Sequence, residues 1–391
     1  MLSTGQIAES IGKIAIDKGW DCYIIHGARY VRPGSCMHSI QSVSKLGEYA
    51  HFVESFLFDN HGLASRCGTK SVIKQIKQIN PDVIQIHCIH GYYLNYKLLF
   101  EYINSTSIPI VWTFHDCWAF TGHCAHFVTV GCEKWKSGCF DCPLKSGYPR
   151  SFLDRSRRNY KIKKSLFTAN KKLHIVSVSK WIAGLVKESF LRDKETLIIH
   201  NGIDLKVFSP KNRNNNNLFR ILGVSAVWNK DKGLYDFFKL REILDKGSFE
   251  ILLIGLNSEQ LKDLPDGIIG IARSNSASEL ADYYSSADLF VNLTYADSFP
   301  TVNMEALACG TPVITYKTGG SPEIIDDNTG WVVEQGDIEA VASIVKECND
   351  SWSHDAIEAQ RIACRTRAEL YFDRNKCYSN YVDLYESFLI N

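Results

Sequence analysis

Short apolar, β-branched runs separated by helix-length stretches constrain this chain more than any other feature. CYIIH (22–26), DVIQIH (82–87), PIVWTFH (109–115), LHIVSVS (173–179) and LIIH (197–200) form one series. RILGVS (220–225), FEILLIG (249–255), DGIIGI (266–271), DLFVNL (288–293) and TPVITY (311–316) form a second. Strands that are apolar along their length belong to sheets covered on both faces, which are parallel. Helical patterns fill the gaps at 66–79, 94–103, 233–245, 278–286, 303–309 and 336–349. The expectation is an α/β chain built of two doubly wound, Rossmann-like halves.

Its 391 residues agree with two domains, at roughly 100–200 residues each. SPKNRNNNNL (209–218) suits neither helix nor strand and reads as the linker. The expected domains are therefore 1–208 and 219–373. A last amphipathic helix at 374–391, with Tyr378, Tyr381, Leu384, Tyr385 and Phe388 on one face, is expected to return to the N-terminal domain. Net charge is +1, so no global field gathers nucleic acid, and 45% apolar residues supply a sizeable core. No apolar run approaches the 18 residues of a membrane span, and no basic, apolar leader precedes Glu9.

In open α/β sheets, ligands sit beyond the carboxyl ends of the strands. Those ends carry His87, His90, His115, Asn201–Asp204 and Tyr295–Asp297. The densest signal is DSFPTVNMEALACGTPVI (297–314), with Asp297 and Glu305 eight positions apart around a helix start. A helix N-terminus suits a phosphate, and a carboxylate just inside it suits a ribose diol. Spacing alone fits a loop, a cap and a surface glutamate equally well.

This segment resembles the acidic–seven–Glu motif of the retaining family 4 glycosyltransferases of GT-B fold. STG (3–5), HGYYLNYKLLF (90–100), TFHDCWAFTGHC (113–124), SVSKW (177–181), IIHNGIDLKVFSP (198–210), WNKDKGL (228–234) and GGSPEII (319–325) match in order. The nearest likeness is to enzymes of bacterial capsule and colanic-acid assembly. The resemblance implies two facing Rossmann-like domains and a nucleotide-sugar donor. It implies that Glu305 binds the donor ribose and Asp297, in place of the usual Glu, faces the donor sugar. Backbone around Phe299, Pro300, Thr301 and Val302 would hold the distal phosphate, with Gly5 approaching from the first turn. Lys232 would neutralise the leaving diphosphate. The family's arginine ahead of it is replaced by Ala226-Val227-Trp228, which leaves Lys230 to compensate. His115 matches the histidine beside the donor sugar; a buried core histidine is the plainer alternative. His87 and His90 are acceptor-side candidates. No Asp-x-Asp pair exists, so catalysis is expected to run on lysine charge and helix dipole without a metal.

Five of thirteen cysteines fall between Cys117 and Cys142, and the odd total argues against a complete disulfide framework. Cys124, Cys132, Cys139 and Cys142, spaced C-x7-C-x6-C-x2-C, suit a structural zinc. His123 and His126 are substitute ligands, and reduced thiols or a redox site are the alternatives. From Arg155 to Lys172 there are eight basic residues and no acid, with Ile162, Leu166 and Phe167 on one side. That stretch suits a peripheral contact with anionic membrane or a polyprenyl-diphosphate acceptor; a solvated helix face is the alternative.

STG stands where the family's first strand has already ended, so the first N-terminal strand is expected to be missing. The expected function is retaining transfer of a sugar from a nucleotide-sugar donor to a saccharide or lipid-linked acceptor in surface polysaccharide synthesis. The expected location is the cytoplasm or the cytoplasmic face of the inner membrane. The missing strand, the missing arginine and Asp297 also fit a truncated, inactive GT-B protein serving as a binding or scaffold subunit.

Overall fold

The computed structural model describes residues 3–28, 35–211 and 218–389. By its contacts the chain divides into a unit up to His200, rejoined from Tyr378, and a unit from Asn201 to Cys377. Most of the expected linker, 212–217, lies outside the described residues.

The first described element is the helix Ser3–Asp17, and no strand precedes it among the described residues. The first unit holds β1 (Tyr23–His26) and β2 (His38–Gln41) as one parallel pair. β3 (Ile84–Ile86), β4 (Ile110–Phe114), β5 (Leu173–Ser177) and β6 (Thr196–Ile198) form a separate parallel sheet in that order. All five residues of β4 are buried, as a run apolar on both faces requires. From Tyr378 onward the helix Arg374–Ser387 packs in this unit. Thr113 Oγ1 donates to the Tyr381 hydroxyl at 3.2 Å, and the Tyr385 hydroxyl donates to Gln85 at 2.9 Å.

The second unit is one parallel sheet of β7 (Phe219–Val224), β8 (Phe249–Ile254), β9 (Ile268–Ile271), β10 (Leu289–Asn292), β11 (Val313–Tyr316) and β12 (Gly330–Val333). Its strand order is β12-β11-β10-β7-β8-β9. The chain thus winds outward from β7, then starts again beside it at β10. That reversal is the topological switch point where doubly wound sheets bind ligands. The core beneath is aliphatic and aromatic, with Ile221, Phe237, Ile251, Leu253, Leu289 and Val341 fully buried.

The unit boundary falls earlier than the expected 208. Residues 201–208 are tied into the second unit: Ile203 N–H donates to Phe372 O, and Arg365 Nη1 donates to Phe208 O at 2.8 Å. The strand β12 and the helices Lys45–Phe58 and His354–Tyr371 were not anticipated from the sequence pattern.

Candidate active site

The loops leaving β7 and β10 at the switch point bring two charges together. After β7, Asn229 caps a short 3-10 turn, Lys230–Lys232, by accepting the Lys232 N–H at 3.0 Å. Gly233 then turns the chain at φ +75°, and a Cβ there would stand 2.2 Å from Leu293 O. Any other residue would force the turn off the β10 exit. The Lys232 ammonium crosses to Asp297 Oδ2 at 2.8 Å and lies 3.4 Å from Ala296 O. Lys230 is exposed on the same turn.

The helix Thr301–Ala308 starts directly after this loop, with Pro300 at its N-cap and no side chain capping it. Its first amides therefore point outward with the positive end of the helix dipole. Phe299 N–H already donates to Asp297 Oδ1 at 3.2 Å, and Phe299 and Pro300 are buried. The amides left for an anion are those of Thr301 and Val302. One turn inward, Glu305 accepts from the Tyr284 hydroxyl at 3.0 Å. Burial pushes its carboxyl up to about 7, against hydrogen bonds from Tyr284 and Thr301. Tyr284 belongs to a helix 21 residues upstream, and no local spacing announced it.

Beneath the loop, Asp236 accepts from the hydroxyls of Tyr295 (2.6 Å) and Tyr316 (3.0 Å). This buried carboxylate fixes Tyr295, two residues before Asp297.

In the first unit, His87 and His115 sit at the ends of neighbouring strands β3 and β4. His87 Nδ1 and His115 Nε2 are 3.0 Å apart, with the rings stacked at 5.3 Å. Burial holds His87 well below its usual range and His115 down at about 4. Both rings are neutral near pH 7, so one donates the shared proton and the other accepts. His90 is different: Nε2 is 3.2 Å from Asp116 Oδ2 and the ring stacks on Trp118 at 4.8 Å. Burial alone would lower it, but Cys88 and Asp116 outweigh burial and raise it to about 10.

Two family models tile the chain: the one described as Glycosyltransferase Family 4 matches residues 20–207, and Glycosyl transferases group 1 matches 208–363. The chain is built of these two glycosyltransferase family domains. WcaC of Escherichia coli K12, named for colanic acid biosynthesis, is 26% identical over 68% of this chain and 67% of its own. The amylovoran biosynthesis glycosyltransferase AmsK of Erwinia amylovora is 31% identical over 43% of this chain and 44% of its own. The capsular polysaccharide glycosyltransferase CapM of Staphylococcus aureus is 30% identical over 41% and 44%. The matches thus span less than half of AmsK and CapM. Among solved structures, sucrose-phosphate synthase from Thermosynechococcus elongatus superposes with TM-score 0.73 at 15% identity, covering 100% of this chain and 94% of that one. WaaG, a glycosyltransferase involved in lipopolysaccharide biosynthesis, gives 0.65 at 14%, covering 98% and 95%. These likenesses show the GT-B fold.

Gly5 lies in the first turn of the helix Ser3–Asp17, in the other unit from Lys232, Asp297 and Glu305. It is part of a helix in this glycosyltransferase, not of an open turn.

The cysteine loop of the glycosyltransferase has little regular structure beyond single 3-10 turns. Cys124, Cys132, Cys139 and Cys142 all line one cavity of about 10 Å³, together with His123. All are free thiols. Cys142 is lowered to about 7 by a hydrogen bond from Cys124, whose own thiol is raised by the same contact. Gly122 N–H donates to Cys139 Sγ at 3.1 Å. Among the described residues, however, no three His, Cys, Asp or Glu side chains stand as a metal-binding group. The four sulfurs share a space without forming a coordination shell in this arrangement. His123 is committed elsewhere, with Nδ1 2.6 Å from the buried Asp59 carboxylate.

The basic stretch forms a helix that is buried along one side. The helix Ser156–Ala169 buries Ser156, Asn159, Tyr160, Lys163 and Phe167. Phe167 packs on Phe100 and Trp112, so the apolar side faces the core. Lys163 donates to Trp118 O at 2.6 Å and Thr121 O at 3.1 Å, 3.4 Å over the Trp118 ring. Burial lowers it to about 7. Ile162 and Leu166 on the same helix are half-buried.

Proposed function

We propose that this protein is a retaining glycosyltransferase of bacterial surface polysaccharide synthesis. It moves a sugar from a nucleotide-sugar donor to a saccharide or polyprenyl-diphosphate-linked acceptor. The observation that carries the reading is the Lys232 ammonium held against Asp297 at the switch point, beside an uncapped helix start. The names of WcaC, AmsK and CapM, all of polysaccharide synthesis, support it. So do solved relatives of the fold such as Anabaena HepE, described in complex with UDP and glucose, with TM-score 0.64 at 14% identity over 99% of this chain and 96% of that one.

In this reading Glu305 accepts hydrogen bonds from the donor ribose. The amides of Thr301 and Val302 meet the distal phosphate, and Lys232 with Lys230 offsets the charge that grows as the sugar–phosphate bond breaks. Asp297 orients both Lys232 and the sugar, and a catalytic role is proposed for His115. The acceptor attacks on the face the diphosphate leaves, and the departing phosphate oxygen takes the acceptor's proton. Lysine charge and helix dipole serve where an Asp-x-Asp enzyme uses a metal. For the cysteine loop we propose structural zinc on Cys124, Cys132, Cys139 and Cys142, on their spacing and shared cavity, with the thiols turning inward as metal binds.

No helix among the described residues is long and apolar enough to cross a membrane. The proposed location is the cytoplasm or the cytoplasmic face of the inner membrane. The test is release of nucleoside diphosphate from a panel of nucleotide sugars, with the product anomer read by NMR. Turnover with retained configuration is expected. Donor binding without turnover, on any donor offered with saccharide acceptors, would return the inactive scaffold reading.

A further inference from the structure

The neighbouring strands β3 and β4 carry two polar pairs, one above the other. Side chains alternate along a strand, so Gln85 and His87 share a face, as do Thr113 and His115. In the lower pair, Gln85 Nε2 donates to Thr113 Oγ1 at 2.8 Å. The last helix holds that pair from its other side: Thr113 donates to the Tyr381 hydroxyl at 3.2 Å, and the Tyr385 hydroxyl donates to Gln85 Oε1 at 2.9 Å. The upper pair is His87 Nδ1 with His115 Nε2 at 3.0 Å, just past the strand ends. Trp112 Nε1 donates to His87 O at 3.1 Å and fixes the backbone that carries the ring.

The surroundings of His87 decide which ring gives the shared proton. A neutral imidazole has one N–H and one lone pair. His87 Nε2 is buried and meets no partner. A proton there would be a buried donor without an acceptor, which forfeits a whole hydrogen bond. A proton on Nδ1 leaves only a bare lone pair at Nε2, the more readily tolerated deficit, and places the N–H against His115. His115 Nε2 must then accept. The proton of His115 itself resides on Nδ1, which makes no hydrogen bond within the described residues, and His115 is half-buried.

We propose that His87 is a positioning residue that fixes His115 as its Nδ1–H tautomer, so that His115 offers the substrate a hydrogen-bond donor and not a base. The substrate half of this statement rests on the transferase reading; the tautomer is a property of the free protein. An outward N–H suits a lone pair on a hydroxyl oxygen of the donor sugar. It cannot take the acceptor's proton, because the basic nitrogen of the ring is already occupied by His87. Deprotonation is thereby left to the departing phosphate oxygen.

The test is NMR on the full chain with nitrogen-15 histidine. Long-range proton–nitrogen correlation near pH 7 reads which nitrogen of each ring is protonated, and His115→Asn identifies the His115 signals. Nδ1–H patterns are expected for both His87 and His115. His87→Phe removes the donor. The His115 pattern should then shift toward Nε2–H, and kcat should fall on the order of tenfold, as for the loss of one hydrogen bond to a reacting group, with little change in donor KM. His87→Asn sets an amide N–H where Nδ1 stands and should restore the Nδ1–H signal of His115 and turn over faster than His87→Phe. An Nε2–H signal from His115 in the parent, an unchanged His115 pattern in His87→Phe, or parent-like turnover in that variant would overturn the proposal. Should His87→Phe not fold, the parent spectrum still decides it. An Nδ1–H pattern in a chain that turns over no donor would uphold the tautomer and remove the transferase reading instead.

Discussion

Lys232 and Asp297 form an ion pair, Nζ to Oδ2 at 2.8 Å, across 65 residues of chain. It joins the two loops that leave the central, adjacent strands β7 and β10. The side chains are 33% and 26% exposed, so the pair is worth at most about 1 kcal/mol to the fold. Its consequence is positional: one carboxylate holds the ammonium at the mouth of the switch point.

Lys232→Met is therefore expected to cost turnover far more than stability. Loss of a preorganised charge on a leaving group costs about 10²–10³ in kcat. Steady-state kinetics beside thermal melting separates the two effects. Parent-like turnover in the variant would remove Lys232 from the chemistry.

Glu305 carries a pH signature. Its carboxyl sits at about 7 in the fold against 4.5 ordinarily, so the unfolded chain releases this proton first. Its contribution to stability is full below pH 4.5 and is lost as pH rises through 7, on the order of 1–3 kcal/mol. Glu305→Gln should raise the melting temperature relative to the parent at pH 8, but not at pH 4.5. The same variant should lose donor binding by calorimetry. A pH-independent difference in melting would contradict the assigned burial.

The histidine pair has the opposite sign. His115 is held at about 4 against 6.5, so the unfolded chain takes up the proton first. Stability from this group is present above pH 6.5 and lost as pH falls toward 4. His115→Asn should flatten that limb of a urea-denaturation series across pH. Identical slopes in parent and variant would show that His115 titrates freely.

Elemental analysis tests the cysteine loop. About one zinc per chain is expected in protein purified without chelator, with Cys139→Ser and Cys142→Ser lowering it. Folded protein prepared gently and found free of metal would sink the zinc proposal and leave four reduced thiols around a small cavity.

Both α/β halves were legible because parallel strands are apolar along their whole length, and β4, β10 and β11 announced themselves that way. The Asp297–Glu305 segment was legible through its family resemblance, since its spacing alone fitted a loop, a cap and a surface glutamate equally well. Tyr284 beneath Glu305 and Asp236 beneath Tyr295 were not, since each contact is made between elements distant in sequence. Lys163 misled because a run of basic residues reads as a wetted face, yet backbone carbonyls of Trp118 and Thr121 receive its ammonium inside. The helix Lys45–Phe58 escaped for a related reason: it buries Glu48, His51 and Ser55, and its apolar stripe faces away from the core.

The strand order of the second unit also bears on how the molecule matures. β7 and β10 meet through Leu289↔Ile221 and Phe290↔Leu222, after the chain has completed β8 and β9 on the other side. Lys232 has no partner until that long loop closes, and distant pairings of this kind are slow to form. Competence to hold a donor should thus be acquired late in refolding, which makes nucleotide binding a reporter of the finished sheet.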